Sequence, residues 1–207
     1  MPSNYLNKKD IDIENSVKQA LENSDFLSEL LDAITSKNDL IRFNCNNILF
    51  KLSEENPNIL YPHWDYFVEL IKSNNNYHKL IALELIANLT KVDIENRFED
   101  IFDEYFKFIN SEKTMVAGHL AGISGKIAKN KPNLQNKITN ILLNIDNTNK
   151  SKQVELIKAY IIDSLSYYFQ DIKNKNEIIT FVKNQQNSAS PKTRHKAKEF
   201  LTKYDKY

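Results

Sequence analysis

The feature that most constrains the fold is a helical pattern of apolar residues that recurs about every 37 to 38 residues, a period typical of solenoids built from short helical units. It is seen first at Arg42, Cys45, Leu49 and Leu52, and again at Lys79, Ala82, Ile86 and Leu89. Apolar residues spaced three or four apart lie on one face of a helix. The pattern therefore predicts a chain of similar helical units.

Later parts of the chain carry the same pattern, and a second apolar helix follows each first one. The first-helix positions continue at Leu120 and Ile127, at Ile162 and Leu165, and at Arg194, Ala197, Leu201 and Tyr204. The second-helix positions are Leu27, Leu31, Ile34; Trp64, Val68, Ile71; Phe102, Phe106, Ile109; and Ile138, Leu142, Ile145. These positions predict an apolar core that continues from one helix pair to the next.

Composition supports an all-α fold. The 207 residues include only 3 Gly and 5 Pro, too few for a fold of strands and tight turns. No run of about 18 apolar residues predicts a membrane span, and the first ten residues lack the apolar stretch of a signal peptide. The single cysteine, Cys45, falls on a predicted buried face. We therefore predict a cytoplasmic protein with no membrane association.

A basic residue three before a small one, with aliphatic residues four and seven further on, resembles the first helix of a HEAT repeat. The resemblance covers roughly residues 24–205, although Ala117 and Glu155 stand where the basic residue is expected. It implies a right-handed α-solenoid of about five antiparallel helix pairs. The expected organisation is one domain over residues 1–207, with an N-terminal cap (1–23), repeats (24–189) and a C-terminal capping helix (190–207).

Charge is unevenly distributed along the chain. Residues 1–125 carry 12 Lys/Arg against 20 Asp/Glu, whereas residues 126–207 carry 16 against 7. The basic run over residues 192–198 is read as the solvated face of the capping helix. Nucleic-acid binding through the basic half is the alternative function, and it is not favoured over a protein partner.

No motif predicts catalysis, a cofactor or a metal site. Gly125-Lys126 lacks the flanking residues of a phosphate-binding loop, and the glycines of that segment predict close helix packing or a hinge. Trp64 with Asp65 resembles the aromatic and acidic residues of HEAT-like alkylated-DNA glycosylases, the least favoured alternative, and a core position for Trp64 is preferred. The four histidines lack ligand spacing.

The preferred function is a scaffold, a monomer or weak homodimer, that binds an unidentified protein partner on the concave face formed by the second helices. Four apolar residues exceed the needs of a narrow helical stripe and repeat at the period of the pattern: Phe67, Leu70, Tyr105 and Phe108. With Glu69 and Glu104 at its rim, we call this set the ridge and predict that it is exposed as a binding surface.

Overall fold

The computed structural model describes residues 4–173 and 175–204, and within these ranges all regular structure is helical. The all-α prediction is confirmed. Residues 205–207, part of the predicted capping helix, and residues 1–3 of the predicted N-terminal cap lie outside the described residues. The chain divides into two units, Met1–Ile94 and Glu95–Tyr207. No helix in the described ranges has the length and apolar character needed to span a membrane.

The first unit is built around two long helices. Its elements are α1 (Ile13–Glu22), α2 (Ser24–Ala33), α3 (Asp39–Glu55), α4 (Pro57–Leu60), α5 (Trp64–Leu70) and α6 (Asn76–Leu89), with a 3-10 turn at Tyr61–His63. Helix α3 packs against α1, α2 and α6, and α5 packs against α6. Asparagine side chains cap α2, α3 and α6, because the Oδ1 atoms of Asn23, Asn38 and Asn75 accept N–H groups of the first helical turn.

The predicted first-helix positions of this unit are core positions. Cys45, Leu49 and Leu52 of α3 have no exposed surface, and neither do Ala82, Ile86 and Leu89 of α6. Burial raises the pKa of the Cys45 thiol to about 12, because the thiolate would lose its hydration. Cys45 is therefore a small packing residue, as predicted.

The second unit contains three long helices that lie side by side. Its elements are α7 (Arg97–Phe106), α8 (Thr114–Asn130), α9 (Gln135–Leu143), α10 (Ile145–Thr148), α11 (Val154–Tyr168), α12 (Lys175–Asn184) and α13 (Pro191–Lys203). Three 3-10 turns lie at Lys107–Asn110, Pro132–Leu134 and Gln185–Asn187. Helix α11 packs against α8 on one side and α13 on the other.

Helices α8 and α11 approach closely through glycine. A Cβ built on Gly118 would lie 3.3 Å from the ring of Tyr160. A Cβ built on Gly125 would lie 2.9 Å from the Cβ of Tyr167 and closer still to the carbonyl oxygen of Ser164. Contact positions advance together along both helices, so α8 and α11 run parallel. The close-packing interpretation is confirmed at Gly118 and Gly125, whereas a Cβ on Gly122 would meet Tyr160 only at 3.8 Å.

One turn recurs before the long helices. A side-chain oxygen accepts the backbone N–H two residues later, a local bond that Ser and Asn form readily. The accepting residues are Ser36, Ser73, Ser111, Asn149 and Ser188, at donor–acceptor distances of 2.7–3.2 Å. Successive turns are thus separated by nearly the same interval along the chain, and this interval is the period of the apolar pattern.

The basic residue of the predicted repeat has a structural role at two of these turns. The Nη1 atom of Arg42 donates to the carbonyl oxygen of Ser36 at 2.8 Å, and Arg194 donates to that of Ser188 at 2.6 Å. In both cases the guanidinium reaches back six residues from inside the helix to the preceding turn. The basic position of the sequence pattern therefore makes the same hydrogen bond at Arg42 and at Arg194.

Replacing glycine in α8 gives a position-specific prediction. Gly125→Ala should destabilise the protein by about 1–3 kcal/mol, because the added methyl overpacks against backbone that cannot move independently. Gly122→Ala is the control, since its Cβ would meet Tyr160 only at 3.8 Å. The control should be neutral or stabilising by up to about 1 kcal/mol through better helix propensity. Urea unfolding measures both, and equal effects would contradict the packing described for Gly125.

Candidate partner-binding surface

The ridge predicted from the sequence is not an exposed surface in the first unit. Phe67 has no exposed surface and Leu70 is 8% exposed, whereas Val68, predicted to be core, is half-buried. Helix α5 is short and buries residues three apart, Trp64, Phe67 and Leu70, together with Ile71 just beyond its end. The predicted exposure is therefore wrong at Phe67 and Leu70; Glu69 is exposed and pairs with Lys72 at 2.6 Å.

The second unit departs from the prediction in the same way at Tyr105. Its ring is fully buried and lies edge-on to Phe98, with 5.1 Å between centroids, in a cluster that includes Phe102 and Phe106. Aromatic side chains bury a large area, so the buried face of α7 is wider than the narrow apolar stripe that was predicted, and Tyr105 is part of the core. Phe108 is half-buried, and Glu104 is partly exposed beside Lys107.

Other candidates from the sequence have structural positions. Trp64 is 1% exposed, which confirms the preferred core interpretation, and Asp65 beside it is exposed. Glu99, in the first turn of α7, lies 3.2 Å from the Nζ atom of Lys131, which also donates to Asn96 at 3.1 Å. Within the described ranges, no group of three or more His, Cys, Asp or Glu is arranged to hold a metal.

A cleft lies between α7 and α9, and we call it the α7–α9 cleft. It has a volume of about 520 Å³ and is lined by apolar residues, by amides and by an ion pair. Phe106 and Ile109 are buried residues of its lining, Ile141 is half-buried, and Asn140 is exposed beside them. Lys137 crosses the cleft, since its Nζ atom is 2.8 Å from Asp103.

A second cleft lies on the other flank of α9 and α10, bounded by α11 and α12, and we call it the α10–α12 cleft. Its volume is about 740 Å³. Leu143 and Phe181 are its half-buried apolar residues, and Asn176 and Asn184 are exposed amides. The exposed face of α9 and α10 is therefore bordered by a cleft on each side.

Lys158, in the α10–α12 cleft, occupies the small-residue position of the repeat pattern, where Cys45, Ala82 and Ala197 stand in other helices. It is only 6% exposed, and its Nζ atom is 2.8 Å from Asp146 and 2.5 Å from Glu155. Glu155 also accepts a hydrogen bond from the Ser188 hydroxyl. Buried charges require such partners. The sequence pattern did not lead us to predict this ion pair. The signal that could have indicated it is a Lys at an apolar position of the pattern with a Glu three residues before it.

This network shifts the pKa values of both charged partners. Burial lowers the pKa of Lys158, but the hydrogen bonds it donates to Asp146 and Glu155 outweigh burial and raise it above 10.5. Burial raises the pKa of Glu155, but the bonds from Lys158 and Ser188 outweigh burial and lower it below 4.5. Both groups are therefore charged at neutral pH.

We predict that Lys158→Met costs about 1–3 kcal/mol of stability, less than a fully buried pair because both carboxylates retain exposed surface. A carboxyl group whose pKa is lower in the folded state than in the unfolded state stabilises the fold at pH values above its unfolded-state pKa. This stabilisation is lost as the pH falls through the folded-state pKa. The free energy of unfolding of the wild type should therefore decrease as the pH falls through the folded-state pKa of Glu155. The Lys158→Met variant should show only part of this pH dependence.

The matched control for this prediction is Lys196→Met, which breaks a more exposed pair with Asp163 and should cost under about 1 kcal/mol. Urea unfolding at neutral and acid pH measures both variants. If the two substitutions cost the same and share one pH profile, the buried network contributes nothing distinctive.

Comparison with known proteins supports the fold alone. No protein-family model matches the sequence, and no curated protein matches it. Among solved structures, the crystal structure of an engineered protein from the Northeast Structural Genomics Consortium is similar, with a TM-score of 0.51 and 13% identity. The alignment covers 94% of this chain and 87% of that chain. At that identity, the similarity shows a shared helical fold.

Proposed function

We propose that the chain is a HEAT-like repeat protein that binds an extended segment of a protein partner along the exposed face of α9 and α10. The observation that carries this proposal is the pair of clefts flanking these helices. The repeat assignment is supported by the recurring turns, whose spacing matches the apolar period, and by the arginine bonds at Ser36 and Ser188.

The amides on this face suit a polypeptide backbone. Asn140 and Asn144 are one helical turn apart and exposed. A primary amide offers both donors and an acceptor, as a peptide group does. The Asn140 side chain has no hydrogen-bond partner within the described ranges, and the side-chain oxygen of Asn144 accepts from the Asn147 amide at 2.6 Å, which leaves the Asn144 amide N–H groups unused. Both are therefore available to a strand-like segment.

The clefts supply room for the side chains of such a segment. Successive side chains of an extended chain point to opposite sides, so a segment lying along α9 and α10 would direct alternate residues into the two clefts. Half-buried apolar residues, Ile141 in one cleft and Phe181 in the other, provide surface for anchoring residues. Of the predicted ridge, only Glu69, Glu104 and Phe108 retain exposed surface for a partner.

Site-specific photocrosslinking tests this proposal in the source cells. A photoreactive residue at Asn140 or at Thr180, exposed in the α10–α12 cleft, should crosslink to a protein. As the control, the photoreactive residue replaces Tyr167, which is exposed and lies outside both clefts. This position should not give the crosslinked product. Crosslinks from Tyr167 alone would contradict the proposed face.

The captured partner then allows a quantitative prediction. Asn140→Ala with Asn144→Ala should weaken binding about tenfold or more, because two hydrogen bonds of about 0.5–1.5 kcal/mol each are lost. Asn15→Ala with Gln19→Ala is the matched control, since these α1 side chains are also exposed and four residues apart. Calorimetry measures both affinities, and an equal loss in the two variants would contradict the proposal.

A further inference from the structure

A row of lysines lies along one edge of the second unit, at the turns that precede α8, α11 and α13. Lys113 precedes α8, Lys150 and Lys152 precede α11, and Lys192 lies in the first turn of α13. All four are exposed. We call this set the lysine row, and it is separate from the two clefts.

Hydrogen bonds between the turns show that the lysines lie at neighbouring positions. The hydroxyls of Thr114 and Ser151 are 2.7 Å apart, and the Asn149 amide donates to the carbonyl oxygen of Ile109 at 2.6 Å. The Thr193 hydroxyl donates to the carbonyl oxygen of Glu155 at 2.5 Å. The first turns of α8, α11 and α13 therefore share one edge, in that order.

Helices α11 and α13 also run parallel, as α8 and α11 do. Thr193, early in α13, meets Glu155 early in α11, and Tyr204, just after α13, donates to Ser166 near the end of α11 at 3.0 Å. Packed helices lie about 8–10 Å apart, so the lysine row is roughly 20 Å long.

Most of this positive charge is not neutralised within the protein. In the described ranges the ammonium groups of Lys113, Lys150 and Lys152 have no carboxylate partner. Lys192 lies over the ring of Tyr160, 3.9 Å from its centroid. Among the acidic residues of these turns, Glu112 is exposed and carries a negative charge beside Lys113. Glu155 pairs with Lys158 and accepts the Ser188 hydroxyl.

The turns themselves do not require lysine. The first unit forms the same turn at Ser36 and at Ser73, where the residue donating its N–H is asparagine. At Ser73 the residues of the turn, 73–76, carry no charge, whereas at Ser36 Lys37 is present and Asp39 pairs with Arg42. The same backbone geometry thus forms without charged residues at Ser73. Lys113 takes part in its turn through its backbone N–H, and the turn needs no lysine side chain.

We propose that the lysine row docks the phosphate backbone of a nucleic acid. A linear polyanion matches a linear array of unneutralised cations, and duplex DNA carries about one charge per 1.7 Å, about twice the density of an extended, fully acidic peptide at about 3.4 Å per residue. Met115 is a large apolar side chain that is exposed beside the row. One such side chain offers little apolar surface for insertion into a membrane. Contacts to phosphates carry no sequence information, so the expected binding is independent of sequence.

Fluorescence anisotropy with a labelled duplex of about 20 mixed-sequence base pairs tests the proposal across about 50–200 mM salt. The test variant is Lys150→Gln with Lys152→Gln and Lys192→Gln. The control, Lys129→Gln with Lys173→Gln and Lys203→Gln, removes three charges near the opposite ends of these helices. Thermal melts verify that both variants are folded.

The row variant should bind about tenfold or more weakly at the lowest salt, and its logarithmic salt slope should fall by roughly two to three. The control should stay within about threefold of wild type. Equal losses in the two variants, or no wild-type binding at the lowest salt, would overturn the proposal. Tighter binding to polyglutamate or to phosphatidylserine vesicles than to the duplex would also overturn it, by assigning another partner class.

Discussion

The close contact between α8 and α11 is the interaction on which the rest of the second unit depends. Because Gly125 has no side chain, the backbone of α8 reaches the carbonyl of Ser164, and the two helices run parallel along their length. Parallel packing places their first turns side by side, where Thr114 meets Ser151. It thereby creates the edge that carries the lysine row.

The same helix, α11, also organises the α10–α12 cleft. Lys158 projects from it toward Asp146 and Glu155, and Glu155 is bonded in turn to Ser188 in the turn before α13. The network around this buried ammonium thus joins α10, α11 and the turn before α13. Replacing all members of such a network by apolar residues is often neutral, whereas removing one member leaves its partners unpaired; the network therefore disfavours arrangements that separate Lys158 from its carboxylates.

The two proposed binding surfaces differ in the chemical groups that they expose. The face of α9 and α10 offers amides and half-buried apolar residues, which suit hydrogen bonding and anchoring by a polypeptide. The edge offers unneutralised lysines and almost no apolar surface, which suits a polyanion. Salt should weaken contacts at the edge far more than contacts at the clefts, because only the former depend on counterion release.

The helical class, the period and most core positions could be predicted from the sequence. Spacing of three and four residues identifies a helix face without knowledge of its neighbours, and Cys45, Leu49 and Leu52 are buried as expected. The width of a buried face cannot be obtained in this way, because it depends on what packs on either side. Phe67 and Tyr105 were therefore expected to be exposed and are buried.

By itself, the sequence determined that this chain is helical and the period at which its apolar positions recur, because these follow from local propensity and periodicity. Only the tertiary structure decided which lysines are buried, among them Lys131 and Lys158, and which are exposed. Lys158 is enclosed because packing brings Asp146 of α10 to the ammonium group that already pairs with Glu155 of its own helix. Lys113, Lys150 and Lys192 form a row because parallel helices place distant turns at one edge, and no local pattern records such proximity.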